Sequence, residues 1–235
     1  MPAVAFSYSR AELEALSEAK NYYRSIAGHF APYVGKRIIE VGAGIGTFSE
    51  VLLNGTNGSE LFLVEPADNL RSPLQERFSR DMRVTIANGY LEDITTRLAA
   101  DSVVVVNVLE HVADDQGFLQ AAHRLLVPGG TILIFTPALP QLYGTLDQAF
   151  GHVQRYSKSS LASKLQRTGF RLLHLRYFNF PGVIAWFLAG KVLRRKVLRP
   201  ADIRLYDRWV VPWASKLERK WEPPLGQSLI AIASK

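Results

Sequence analysis

Three groups of residues have the types and spacing to do chemistry. Glycines 42, 44 and 46 form the first, in the run Ile39-Glu40-Val41-Gly42-Ala43-Gly44-Ile45-Gly46. The run lies between a short apolar stretch and a helical pattern. A glycine loop there lets backbone approach a ligand closely at the carboxyl edge of a sheet. Glu40 precedes the loop by two residues and Glu65 follows Gly46 by 19. Glu65 ends a second apolar run, where a carboxylate can accept bonds from both hydroxyls of a ribose. His111 is the second group, just past the run Val103 to Val106. Its imidazole titrates near neutrality, which suits a general base, and it also reads as a residue that only fixes its loop. The third group is Tyr143, Asp147, His152, Arg155 and Tyr156, on one connection after a strand. Polar clusters on such loops tend to face a substrate, although Asp147 and Arg155 also read as a pair that holds the loop. His29, His123 and His174 fall on helix or strand positions and read as structural.

Spacing separates two ligand classes. A dinucleotide loop, G-x-G-x-x-G, would need a glycine at position 47, which is Thr47. A carboxylate at Glu40 repels a pyrophosphate but suits a cation. S-adenosylmethionine carries a sulfonium and an amino group and no phosphate, so it fits better than NAD(P).

These groups need elements to position them. Residues 9–31 read as one helix, with Glu12 and Glu14 in its first turn, where the helix dipole favours acids. Apolar runs at 37–41, 61–64, 82–87, 103–106, 131–135, 172–177 and 228–233 read as strands. Helical patterns at 47–53, 69–79, 114–126 and 157–167 alternate with them, and Pro128-Gly129-Gly130 reads as a turn. Alternation of this kind, with strands apolar throughout, indicates a parallel sheet covered on both faces. Two more helical stretches are expected at 182–197 and 202–220.

Composition narrows the class further. The 235 residues suit one domain. The absence of cysteine excludes a disulfide framework, a thiolate zinc site and a cysteine nucleophile. Five histidines leave a His/carboxylate metal site open, but none has helix-type ligand spacing, so no metal is expected. Met1 to Lys20 shows no signal-peptide pattern, and the apolar stretch Phe178 to Gly190 is too short to span a bilayer. A cytoplasmic location is the expectation. Net charge is +7, and residues 180–222 hold ten Lys and Arg against four acids together with all four tryptophans. This segment admits three readings: a lid over a substrate pocket, a membrane-surface contact, or helices that merely pack on the sheet. The lid is favoured. No nucleic-acid-binding module accompanies the charge, so no nucleic-acid partner is expected.

Four motifs in order carry a family resemblance over nearly the whole chain. The glycine run resembles motif I of class I S-adenosylmethionine-dependent methyltransferases. Asn107-Val108-Leu109-Glu110-His111-Val112-Ala113-Asp114-Asp115 resembles the strand-4 motif of their type 11/12 group. Leu125-Leu126-Val127-Pro128-Gly129-Gly130 resembles the segment that leads into strand 5. The stretch from Leu142 to Ser157 is similar to a signature of a bacterial subgroup from glycan assembly or secondary metabolism. The resemblance implies that Glu40, Gly42 and Gly44 hold the methionine part of the cofactor and Glu65 the ribose. It places Pro66 near the adenine and Gly89, Tyr90 and Leu91 around it, with Glu92 or Asp93 at its amine. Asn107, Val108 and Leu109 would line the floor, and Tyr22 or Tyr23 would close the site. Catalytic candidates are His111, His152, Tyr143 and Asp147.

The expected fold is α/β, a Rossmann-like, seven-stranded, mostly parallel sheet with helices on both faces. An N-terminal helical cover (1–34), a cofactor-binding core (35–136), a substrate loop (137–157) and an inserted helical lid (180–222) divide it. The expected function is methyl transfer to an O, N or C atom of a small organic acceptor in bacterial secondary metabolism. Competing readings are methylation of a lipid-linked or glycan precursor at a membrane surface, an NAD(P)-linked oxidoreductase, and a non-catalytic binding protein. Nothing in the sequence sets the oligomeric state.

Overall fold

A computed structural model describes residues 9–94 and 98–235. The first residues of the N-terminal cover, and so part of the signal-peptide reading, lie outside the described residues.

Two short helices come first among the described residues, α1 (Arg10–Leu16) and α2 (Lys20–Phe30). One helix was expected here. Ala19 leaves the helical region at φ −83°, ψ 54° and divides the two. Then β1 (Arg37–Val41), α3 (Thr47–Gly55), β2 (Glu60–Glu65), α4 (Asp68–Phe78), β3 (Val84–Asn88) and β4 (Ala100–Val106) alternate. They are followed by α5 (Asp115–Leu125), β5 (Leu126–Pro137), α6 (Thr145–Ala149), α7 (Lys158–Arg167) and β6 (Arg171–Phe178). Helices α8 (Phe180–Trp186), α9 (Pro200–Trp209) and α10 (Val211–Glu218) intervene before β7 (Ser228–Ser234).

Among the described residues, seven strands form one sheet in the order β3-β2-β1-β4-β5-β7-β6. The pairs among β1 to β5 are parallel, and β7 runs antiparallel to β5 and β6. Chain order reverses between β1 and β4, and such a reversal opens a crevice at the carboxyl ends of the strands.

Each face of the sheet carries its own core. Ile39, Val103 and Val105 meet Phe118, Leu119 and Leu161 of α5 and α7. Ile38, Leu63 and Val104 meet Ile26, Phe30, Phe48 and Leu74 of α2, α3 and α4. Strands buried from both sides explain the unbroken apolar runs.

The turn expected at Pro128-Gly129-Gly130 is a correction. These residues belong to β5, which runs for 12 residues. Gly129 has φ +79°, and a Cβ on Gly130 would lie 2.9 Å from the Val127 carbonyl oxygen. The glycines therefore bend the strand and pack it against a neighbour instead of ending it. The expected 202–220 helix is likewise two helices, because Pro212 starts α10 after Val210.

Candidate active site

Glycines 42, 44 and 46 all adopt positive φ, at 70°, 58° and 79°, a region L side chains avoid. A Cβ on Gly42 would also lie 2.4 Å from Val108 Cγ2. The loop therefore lies flush against the residue that follows β4 by two. Glu65 braces it from β2: its Oε2 accepts from the Gly44 amide at 2.7 Å and its Oε1 from the Ala67 amide at 2.9 Å. Each oxygen keeps a second lone pair for a ligand hydroxyl. Burial pushes the Glu65 carboxyl up, against the pull of those two amides.

Glu40 is the second acid of this shelf. It is buried, and its Oε2 has no hydrogen-bond partner among the described residues. Burial pushes its carboxyl up to about 8, and the neighbouring Glu65 charge adds to the effect. A buried acceptor without a partner is costly, and a cation beside it would relieve that cost. Flush glycine backbone, a braced ribose acceptor and an unpartnered buried acid fit S-adenosylmethionine.

Beyond Asn107 lies a cavity of about 320 Å³. Asn107, His111, Phe135 and Pro137 border it from the ends of β4 and β5, and Tyr22 borders it from α2. Phe150 and His152 come from the connection after β5, and Trp186, Ile203, Tyr206 and Val211 roof it from α8 to α10. Residues of all three helices after β6 thus line part of the cavity.

A side-chain network fixes His152 at the cavity wall. His152 Nδ1 lies 2.9 Å from Asp147 Oδ1. Asp147 also accepts from Arg155 Nε at 2.6 Å, Trp186 Nε1 at 3.1 Å and the Gly144 amide at 2.9 Å. Burial alone would push the Asp147 carboxyl up, but the His152 bond and the Arg155 guanidinium outweigh it and hold the carboxyl below its ordinary range. An ionised Asp147 only accepts, so His152 Nδ1 carries the proton of that bond. Glu110 Oε1 lies 3.9 Å from His152 Nε2 and has no hydrogen-bond partner among the described residues. Burial pushes Glu110 up to about 7, while Thr136 donates to its other oxygen at 3.1 Å.

His111 differs from His152. Its Nδ1 lies 3.2 Å from the Gly151 carbonyl oxygen, which can only accept. Burial, with the neighbouring His152 ring adding to it, pushes its pKa down to about 4. The two rings meet edge-on with centroids 5.0 Å apart. His111 is therefore neutral at pH 7 and a weak base.

Several expected residues stand elsewhere. Tyr143 donates its hydroxyl to the His152 carbonyl at 2.8 Å and does not border the cavity, so it positions the loop. Asp147 is buried and acts on the pocket only through His152, Arg155 and Trp186. Both are corrections to the catalytic set. Tyr22 is held by its hydroxyl donating to Gln227 at 3.1 Å, whereas Tyr23 packs on Phe48 and does not border the cavity. In the loop after β3, Gly89 has φ +126°, Tyr90 is exposed and Leu91 is buried. Asp93 there accepts the Tyr90 amide, so Glu92 is the acid without a local backbone role. Pro66 directly follows β2, and Leu109 lies three residues past β4 and is fully buried.

Glu110 was not among the expected site residues. Its signal was an acid embedded in the apolar run Val108-Leu109-Glu110 directly before a histidine. Glu110, His111 and His152 present ligand-type atoms within 4.8 Å of one another. The expectation of no metal rested on spacing along one helix. Here the three groups come from two separate connections, which spacing cannot reveal.

The family of methyltransferase domains matches residues 11–175, well over half of the chain. The chain belongs to that family. It is a class I S-adenosylmethionine-dependent methyltransferase, which sets aside the oxidoreductase reading. Among curated proteins, the human mitochondrial ubiquinone biosynthesis O-methyltransferase is 33% identical over 138 residues, 55% of this chain and 37% of the relative. The ubiquinone biosynthesis O-methyltransferase of Ralstonia nicotianae is 32% identical over 113 residues, 45% of each chain. The match thus spans less than half the length of these relatives. Among solved structures, the putative methyltransferase bound to the Haloferax volcanii Trm112 activator superposes with a TM-score of 0.63 at 14% identity, over 96% of this chain and 95% of that one. Haemonchus contortus phosphoethanolamine N-methyltransferase 2, solved with S-adenosylhomocysteine, gives 0.65 at 20% identity, over 97% of this methyltransferase and 58% of that chain. At these identities the structural likeness speaks for the fold alone.

Proposed function

We propose that this methyltransferase transfers a methyl group to a hydroxyl of a small, ring-containing and largely apolar acceptor. The observation that carries the reading is the His152–Asp147 pair on the wall of a mostly apolar cavity next to Asn107. Phe150 stacks between His152 and Trp186, at 6.0 and 6.2 Å, and offers an aromatic wall to a ring. The curated relatives are named O-methyltransferases of ubiquinone biosynthesis, which supports an oxygen acceptor and a biosynthetic small molecule. That name does not point to secondary metabolism in particular.

S-adenosylmethionine supplies the methyl group as a sulfonium substituent. The protein has two tasks: to align the acceptor and to take its proton. Alignment within about 3 to 3.5 Å of the methyl carbon falls to the cavity walls and roof. His152 Nε2 takes the hydroxyl proton, and Asp147 holds the imidazole in the right tautomer and stabilises it once charged. Arg155 and Tyr143 keep Asp147 and His152 in place. The shelf of Gly42, Gly44, Glu40, Glu65 and Pro66 would hold the cofactor, with Gly89, Tyr90, Asn107, Val108 and Leu109 as the further residues that would contact it.

A second reading rests on the unpartnered Glu110 oxygen. A divalent cation on Glu110, His111 and His152 would lower the acceptor hydroxyl's pKa directly. The test for both uses methyl-labelled S-adenosylmethionine and a panel of phenols and catechols with apolar substituents. Label transferred to oxygen, unaffected by a chelator, supports the base reading. Loss of transfer with the chelator and its return with a divalent cation supports the metal reading. No transfer to any hydroxyl, with transfer to amines instead, overturns the oxygen assignment.

A further inference from the structure

The helices that roof the cavity have a second face. Inward, Tyr206 and Val211 border the pocket, while two carboxylates latch the roof down. Asp207 accepts the Asn21 and Tyr22 amides at 3.1 and 2.9 Å, and Glu218 accepts the Asn179 and Phe180 amides at 2.8 Å each. Outward, α9 and α10 carry Leu205, Trp209, Trp213 and Leu217, and Trp221 follows just past α10, one every fourth residue. They are 63%, 60%, 72%, 60% and 51% exposed, values for large apolar side chains that a soluble surface normally hides. Spacing of four places each beside the next, so they form a stripe along the kinked helix pair. Phe187, Leu188, Val192, Leu193 and Val197 extend the exposed apolar surface over the preceding connection.

Charge on this face has one sign. Arg204, Arg208, Lys216 and Lys220 each precede a stripe residue and are exposed. Lys191, Arg194, Lys196 and Arg199 are exposed on the connection before α9. All four acids of residues 180–222 are already engaged. Asp207 and Glu218 are buried beneath the roof, Asp202 pairs with Arg195, and Glu222 pairs with Lys158. Arg208 and Lys216 lie over the rings of Trp209 and Trp213, at 5.3 and 6.0 Å from the ring centroids. Exposed tryptophans flanked by cations match the boundary between anionic headgroups and acyl chains. Among the described residues no helix is long and apolar enough to cross a membrane, so contact would be with the surface.

We propose that the outer face of α9 and α10, with the connection before them, docks on the surface of an anionic lipid bilayer. The partner is chosen by charge complementarity: a zwitterionic surface offers nothing to the unopposed cations, and a second copy of the face would oppose cation to cation. The inward face of the same helices covers the acceptor cavity, so docking brings the pocket to the bilayer surface.

All four tryptophans lie in this segment, three of them on the stripe, so intrinsic fluorescence reports on the face without a label. The experiment adds the full chain to vesicles of phosphatidylcholine alone or with phosphatidylglycerol at three to seven. The expected result is a blue-shifted emission and co-sedimentation with the anionic vesicles only, weakened by salt. Trp209→Ser with Trp213→Ser, and separately Arg204→Glu with Arg208→Glu and Lys216→Glu, should each cut vesicle binding at least tenfold. Unchanged affinity for S-adenosylmethionine would show that both variants remain folded. Three results would overturn the proposal: no binding by the wild type, equal binding to both vesicle types, or binding untouched by either variant. A dimer in light scattering that the tryptophan variant abolishes, without vesicle binding, would reassign the face to a second copy of the chain.

Discussion

The two halves of the crevice are built from different materials. On the β1–β2 side, backbone forms the surface: three positive-φ glycines in five residues, braced by Glu65 through the Gly44 amide. On the β4–β5 side, side chains form it, drawn from α2, the connections after β4, β5 and β6, and the roof. The first arrangement suits a ligand that never varies, because a backbone surface offers few positions for substitution. The second suits an acceptor that differs between relatives, because each wall residue can change while the sheet stays fixed.

Variants on either side should separate two readouts, turnover and cofactor affinity. The largest effect is expected for Asp147→Asn, which removes the charge that sets the His152 tautomer. Labelled-methyl transfer should fall by about a hundredfold or more, with cofactor affinity nearly unchanged. A fall in cofactor affinity as large as the fall in turnover would show that the network spans both halves. Glu65→Ala should do the reverse and weaken cofactor binding by roughly 1.5 to 3 kcal/mol, about ten- to a hundredfold, as a charged acceptor is lost. Unchanged affinity in calorimetry would remove Glu65 from the cofactor shelf.

Glu40 and Glu110 should make stability depend on pH. Their folded pKa values are raised to about 8 and about 7, from 4.5. The folded state therefore holds protons that the unfolded chain releases. Stability is full below about pH 4.5 and declines as pH rises toward 8, by at most about 1.4 kcal/mol per pH unit for each extra proton held. Denaturant melts at several pH values should show this decline, and Glu40→Gln should flatten it. The smallest effect is expected for Asp207→Ala, which removes the cap that α9 supplies to α2. A loss of about 1 kcal/mol in denaturant melts is expected, and no loss would mean that the roof does not brace the cover.

The backbone-built half was legible because its signal is contiguous: glycine spacing, a preceding acid, and a second acid at the next strand end. Strand runs were legible for the same reason, since burial on both sides leaves them apolar. What was hidden depends on distant partners. The break between α1 and α2 has no local capping signal, because the acceptor for the α2 amides is Asp207, 186 residues away. Pro128-Gly129-Gly130 read as a turn because local propensity favours one, but pairing of Gly130 with Lys235 keeps it in the strand. Glu110 escaped because an acid gains its role only when Thr136 and His152 converge on it. Tyr143 and Asp147 were found, but which side chain reaches the cavity was not, since spacing cannot say which way a loop residue points.

The central claim is that cofactor and acceptor are served by separate halves of the crevice, with His152 on the acceptor half. Calorimetric titration of S-adenosylmethionine into His152→Ala tests it most directly. The predicted result is an affinity within about twofold of the wild type, from a variant that has lost at least a hundredfold in turnover. An affinity that falls as far as it does in Glu65→Ala would place His152 on the cofactor and contradict the account.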